Sequence, residues 1–401
     1  MSQSQQALFK QPMFEPSTQE AQARLAAVNP RAYAATRNAL DGAVTRLSPY
    51  ITHGFLSLRD VLKAVHDKHP LELGHKFVFE LGWRAYFHHV WAHEGERILA
   101  SLHEGPLPDS AYAKSLPADI SEGCTGIPAI DRAVQTLYAT GYLHNHARMW
   151  LASYVVHVRR VHWRAGADWL YGHLLDGDLA SNHLSWQWVA GTGSHKPYLF
   201  NADNVARYAP ADWHSKGTYI DTSYEAMEAM ARGGKLPRLA SLAPSSAAPV
   251  LLHTPPAELG FSEPALDLAK GRRVRLIHPW SLGANHPPES DSSDTLTIAV
   301  FPAELAERFP WSLQRWQFVA QAMAARTPHL WFTHTPQLLQ ALNGATAVQG
   351  TSDMHLPAPW KALGLAPPPQ FAPPPARRCN SFSQYWNAVT GKLDSVEALL
   401  N

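Results

Sequence analysis

From about residue 20 to residue 215, apolar side chains recur at helical spacing and scarcely at the two-residue period of a strand. The clearest runs are KFVFELGWRAYFHHVWAHEGERIL (76–99) and PAIDRAVQTLYATGYLHNHARMWLASYVVHVRRV (128–161). Pro128 suits a first helical turn, where its missing N–H is not needed, and Gly141 suits a break. With 45% hydrophobic residues over 401 positions, such helices can be buried in a sizeable core, enough for two domains. After Tyr224 the pattern shifts. Residues 223–260 begin as a short helix and turn Pro/Ala/Ser-rich, which predicts a linker or a loosely packed cover. RRVRLIHPWSLG (272–283), TLTIAVFP (295–302) and HLWFT (329–333) read as strands, PWSLQRWQFVAQAMAAR (310–326) as a helix, and 358–378 as Pro-rich extended chain. The predicted fold is mainly α. It comprises an N-terminal extension (1–30), a helical domain (31–222), a linker (223–270) and a small α/β domain (271–401).

Charge and cysteine usage narrow the function. Lys plus Arg number 34 and Asp plus Glu 33, so the chain is no polycation, although a local basic patch is allowed. Cys124 and Cys379 are far apart and make neither a disulfide framework nor a metal pair, which suits a reducing, cytoplasmic setting. The polar N-terminus is read as carrying no signal peptide, and no apolar run reaches the roughly 18 residues of a membrane span. His88, His89 and His93 lack an HExxH pattern, so no metal is expected. GTGSHK (191–196) lacks the length of a P-loop.

Four polar and aromatic constellations stand out. Asp178, Asn182 and Trp186 fall on one helical stripe, with Asp176 and Asp178 flanking Gly177. An acid, an amide and an indole make a poor core face and a good lining for a large heteroaromatic ligand. The plain alternative is a helix cap. Glu80, Trp83, Arg84 and Phe87 share another face, and their rival reading is a Glu80–Arg84 ion pair worth a few tenths of a kcal/mol. Asn145, Arg148 and Met149 share a third, where Met149 could equally fill core. Thr45, Arg46 and Ser48 precede Pro49 at a turn suited to phosphate, or to an ordinary Ser48 cap.

In their order along the chain, TRLSPYITHG, ELGWRAYF, GCTGIPAIDRAVQTLYATGYLHNHARM and DGDLASNHLSWQWVAGTG together resemble the FAD-binding domain of the photolyase/cryptochrome family, over about residues 30 to 215. The resemblance implies FAD as cofactor. Tyr33, Thr45, Arg46, Leu47 and Ser48 would hold its diphosphate. Asp176 and Asp178 would contact the ribityl chain and ring, Arg148 would pair nearby, and Asn182 would face flavin N5. Trp186 and Trp163 match the first two members of an electron-carrying tryptophan chain; its outermost member has no match, and Tyr112 is the nearest substitute. Glu80, Trp83, Asn145, Met149 and Trp188 match the pocket that binds a flipped cyclobutane dimer, with Arg37, Arg84 and His146 as candidate phosphate contacts.

The implied activity is light-driven repair of cyclobutane pyrimidine dimers in single- or double-stranded DNA by a monomer. The alternative is a blue-light photoreceptor that signals through protein partners and repairs nothing. The sequence departs from the pattern at Ala85, where an acid is usual, at His146, where an Arg is usual, and at FNADN (200–204). Family members place an α/β antenna domain ahead of the FAD domain. Here the strands after residue 272 resemble a shortened antenna domain in a permuted position, without an expected antenna chromophore.

Overall fold

The computed structural model describes residues 13–236, 247–283 and 295–401. The middle of the predicted linker lies outside them. The helical body starts earlier than the sequence suggests. Ser17 caps α1 (Thr18–Ala26) by accepting from Glu20 N–H, and Phe14, Ala21 and Leu25 are buried in the main core. Asn29 caps α2 (Pro30–Thr36). Then follow α3 (Ser48–Thr52), α4 (Leu58–Lys68) and α5 (Lys76–Glu94). The long apolar run forms α6 (Pro128–Thr140) and α7 (Asn145–Ser153). They part at Gly141, as its place in the sequence predicts: its φ is +64°, and a Cβ there would meet Leu175 at 2.6 Å. Next come α8 (Trp163–His173) and α9 (Leu179–Ala190).

The three predicted strands form as β1 (Arg273–Ile277), β2 (Thr295–Pro302) and β3 (Leu330–Thr333). A fourth, β4 (Ala347–Gln349), is too short and too half-buried to stand out in the sequence. All pairs are parallel, in the order β3-β2-β1-β4. Parallel strands are covered on both faces. One face meets Leu338, Ala341 and Trp360. The other, with Ile277, Ala299 and Phe301, lies under α10 (Leu313–Ala324) and joins a cluster that runs on to Tyr50, Tyr171 and Leu175 of the helical body.

The α/β layer therefore shares its core with the helices. Segments on either side of it strengthen the union. Leu252 exchanges backbone bonds with Trp311 at 2.8 and 3.1 Å. Near the C-terminus, α11 (Phe382–Thr390) returns to α5, where Gly82 lets the Trp386 ring approach so closely that a Cβ would stand 2.4 Å from it. Residues 382–400 thus complete the helical body, within the span expected to belong to the α/β part. Among the described residues, no helix is long and apolar enough to cross a membrane.

Candidate functional site

The turn between α8 and α9 carries the two aspartates. Asp178 both caps and organises a site. Its Oδ2 accepts from Ser181 N–H at 2.8 Å, and the same carboxylate lies 2.9 Å from His88 Nε2 and 3.8 Å from Arg84. Burial would raise its pKa, but His88 and Arg84 outweigh burial and hold the carboxyl well below its ordinary value. Asp176 takes both carboxylate oxygens to Arg148 Nη2, at 3.0 and 2.8 Å, and its carbonyl accepts from the Thr52 hydroxyl. Arg84 donates to that same hydroxyl at 3.0 Å. Arg84 is thereby engaged with Thr52 and Asp178, and not with Glu80, its rival partner by helical spacing. Asn182 donates from Nδ2 to the Ala167 carbonyl at 2.8 Å, and no described residue donates to its Oδ1.

A cavity of about 1070 Å³ opens beside this turn. Arg84, His88 and Asp178 wall it on the helical side, and Trp280, Met354 and His355 on the other. Of the residues assigned a site role from the sequence, only Arg84 and Asp178 line it.

The other predicted residues gather where α2, α5 and α7 meet at the surface. Arg37 Nε lies 3.4 Å from Glu80 Oε1. Burial raises the Glu80 pKa, against the pull of Arg37. Burial likewise raises Tyr33, with Glu80 and Arg37 within electrostatic reach of its hydroxyl. His144 caps α7 by accepting from His146 N–H, which presents Asn145 on the exposed first turn, its amide 3.6 Å from Met149 Sδ. His146 feels Arg37 and is held below its ordinary pKa, chiefly by burial. Trp188 is 37% exposed. Trp83 is stacked on Phe382 of α11, centroids 4.2 Å apart and 12° from parallel.

Nearby, Ser48 is the first residue of α3 and caps nothing; Leu47 holds the cap position without a side-chain bond. Thr45 Oγ1 accepts from Leu47 N–H at 3.4 Å. Arg46 is exposed at φ +52°, a left-handed conformation that costs a non-glycine residue about 1–2 kcal/mol. No described residue pairs with it.

The indoles form an interior series. Trp186 lies against Gly166, where a Cβ would stand 2.3 Å from its ring. Trp163, on the same helix as Gly166, donates to Ser101 Oγ at 3.0 Å. Its ring is 5.6 Å from His162, and His162 is 6.4 Å from Tyr112.

Four residues of this neighbourhood were not singled out as site residues: His88, Trp280, His355 and Phe382. His88, four residues beyond Arg84, could have been found from helical spacing. The other three come from the C-terminal part, whose sequence gives no sign that it reaches the aspartate turn or α5.

The chain matches the family model for the FAD-binding domain of DNA photolyase over residues 77–232. It is 35% identical to a deoxyribodipyrimidine photo-lyase of Streptomyces griseus, over 38% of this chain and 33% of that protein. It is 34% identical to a cryptochrome DASH of Idiomarina loihiensis, covering 40% and 38%, and 36% identical to a photo-lyase of Thermus thermophilus, covering 48% and 47%. The chain thus spans between a third and a half of the length of these relatives. Among solved structures it resembles a Synechocystis cryptochrome at TM-score 0.44 and 27% identity, over 49% of this chain and 44% of that one.

The donor set suits the cofactor of that family. Among the described residues, none hydrogen-bonds to the Arg46 guanidinium or to the Ser48 and Tyr33 hydroxyls, none donates to the Asn182 amide oxygen, and a fixed Arg148–Asp176 pair stands beside Asp178. Cationic and hydroxyl groups left open at a turn are what a diphosphate needs. Residues 77–232 thus resemble the FAD-binding domain of DNA photolyase, the part that this chain shares with photolyases and cryptochromes.

Proposed function

We propose that this protein binds FAD and repairs cyclobutane pyrimidine dimers in DNA under blue light. The observation that carries the reading is the state of Glu80. Its pKa is raised by burial although Arg37 stands 3.4 Å from the carboxylate, and the Tyr33 hydroxyl lies within its electrostatic reach. A carboxyl that keeps its proton to higher pH can donate a hydrogen bond to a pyrimidine carbonyl as negative charge develops there.

The chemistry that FAD supplies when bound is one-electron donation after light absorption. The protein's part is placement. Arg46, Ser48 and Tyr33 would hold the diphosphate, Arg148 and the two aspartates the ring and ribityl chain, and Asn182 Oδ1 would accept from a ring N–H. Trp186 and Trp163, continued by His162 and Tyr112, offer a route for electrons from the surface. Trp83 and Trp188 present indole faces to the extruded bases, whose flipping costs a few kcal/mol and less at damage. Arg37 and His146 would flank the mouth as phosphate contacts; with His146 held below its ordinary pKa, the positive charge there comes from Arg37.

A second reading has its own observation. Phe382 already occupies one face of Trp83, which suits a photoreceptor that has no substrate to stack. One experiment separates the two. The chemically reduced protein is illuminated with single- and double-stranded oligonucleotides carrying a cyclobutane dimer, alongside a dark control. Light-dependent return of intact thymines is the expected result. FAD bound and photoreducible, with every lesion left intact, would transfer the assignment to the photoreceptor.

A further inference from the structure

Arg315 is fully buried on α10, in the α/β layer, yet its guanidinium ends in the helical body. Nη1 donates to the Tyr171 carbonyl at 2.8 Å and Nη2 to the Gly177 carbonyl. The guanidinium lies over the Trp311 and Tyr171 rings, 3.9 and 4.5 Å from their centroids. Among the described residues, no carboxylate pairs with it directly. The charges that compensate it are Asp176 and Asp178, one residue to either side of the carbonyl it holds. The fit is mutual. A Cβ at Gly177 would stand 2.5 Å from Arg315 Nη1, so the turn accepts the guanidinium only because residue 177 is glycine.

His355 grips the other end of the turn. Its Nε2 accepts from Leu179 N–H at 3.2 Å, which leaves its proton on Nδ1, 2.6 Å from Asp353. The ring then lies flat against Trp280, centroids 4.4 Å apart and 4° from parallel.

We infer that Arg315, supported by His355, is a positioning residue for the cofactor site: the α/β layer fixes the Asp176–Gly177–Asp178 turn. It sends Asp176 to Arg148 and Asp178 to Arg84 and His88. The α/β layer is on this view a structural part of the FAD site. The inference rests on the FAD reading above. A buried cation fixed by two carbonyls also contributes positive potential under the turn, where water cannot screen it.

The test compares Arg315→Lys, Gly177→Ala and Gln314→Ala with the parent protein. Lysine keeps the charge but cannot bridge two carbonyls at once. Alanine at 177 displaces the guanidinium from the other side. Gln314 is the control: it neighbours Arg315 and also joins α10 to the helical body, but at the Tyr138 carbonyl, away from the turn. FAD affinity is measured by quenching of FAD fluorescence, the absorption fine structure of the bound FAD is recorded, and the FAD-free proteins are melted.

Arg315→Lys and Gly177→Ala are expected to weaken FAD at least tenfold and to blur the fine structure, with Gln314→Ala near the parent. Parent-like FAD affinity in either folded variant overturns the inference. So does a loss of affinity that merely follows the loss of FAD-free stability across all three. A parent protein that binds no FAD removes the cofactor reading and this inference together; a parent that binds, with variants that bind equally, removes the inference alone.

Discussion

At the aspartate turn nearly every polar group has a partner inside the protein, whereas at the surface mouth the same residue types stand half-exposed with partners missing. Asp178 serves a helix cap, a histidine and an arginine at once. Asp176 and Arg148 are joined by two short contacts. At the mouth, Arg46 is strained and pairs with no described residue, Asn145 leans on a sulfur, and Glu80 shares one long contact with Arg37. Polar groups in the interior must satisfy one another, because leaving one unpaired costs free energy. Those at the mouth are free to wait for a ligand. On the function proposed above, the turn would serve architecture and preorganisation, and the mouth recognition.

The hardest way to break this comparison is Asp178→Ala. It removes a cap and leaves Arg84 beside His88 in the interior without their carboxylate. Removing one partner of a buried charged group costs about 3–5 kcal/mol. Denaturant unfolding should show a loss of that order, and a loss below about 1 kcal/mol would mean the turn does not carry the structural role given to it.

Acid should probe the same interior. Burial lowers His157 and His173 from 6.5 to about 4, with a bond to the Val189 carbonyl partly offsetting this at His157. Both are neutral in the native protein but charge in the unfolded chain below about pH 6.5, so the unfolded chain binds more protons and stability falls as pH drops. The expected loss is about 2 kcal/mol per histidine by pH 5. Glu80 runs the other way: its raised pKa favours the folded protein at lower pH and weakens it as pH climbs through the folded value. Melting curves at pH 7.5 and 5 for the parent and for a His173→Gln variant measure the interior contribution. Equal pH dependence in the two would exclude His173 as a source.

The mouth should respond in function and hardly in stability. Glu80→Ala removes an ion pair that is partly exposed and worth at most about 1 kcal/mol. Repair per absorbed photon should nevertheless fall several-fold with FAD still bound. Glu80→Gln keeps an N–H donor that does not titrate, so it should restore part of the yield and flatten its pH dependence. An unchanged yield in Glu80→Ala would remove Glu80 from the reaction.

These contrasts also show what could be read from the chain alone. The helices at 76–94 and 128–153, the break at Gly141 and three of four strands follow from periodicity and from residues with fixed backbone habits. The stripe of Asp178, Asn182 and Trp186 was legible because it is local, one helix with one period. The destination of Arg84 was not. Spacing offers it Glu80 on its own helix, but Thr52 and Asp178 win because they are buried and need a donor. Nor was the reach of Arg315, His355 and Phe382 legible, since each meets a partner more than 130 residues away and nearly 300 in the case of Phe382. Long-range contacts of single side chains leave no period in a sequence.

Arg46 gives the smallest stability effect and the sharpest test of the mouth. Its φ of +52° places a side chain where glycine would sit without strain. Arg46→Gly relieves about 1–2 kcal/mol of backbone strain. It also gives the unfolded chain more freedom, which costs about 0.4–1 kcal/mol. No described residue pairs with the guanidinium, so no contact is lost to set against these two. The net change in stability should lie between zero and about +1.6 kcal/mol. FAD affinity should move in the opposite direction, because the arginine would supply a charge-assisted bond to phosphate worth about 1.5–3 kcal/mol, or a tenfold or greater loss without it. A more stable protein that binds FAD less well is the signature of strain kept for a ligand. Unchanged affinity would leave the strain at Arg46 without a function and return the phosphate-binding role to Thr45 and Ser48.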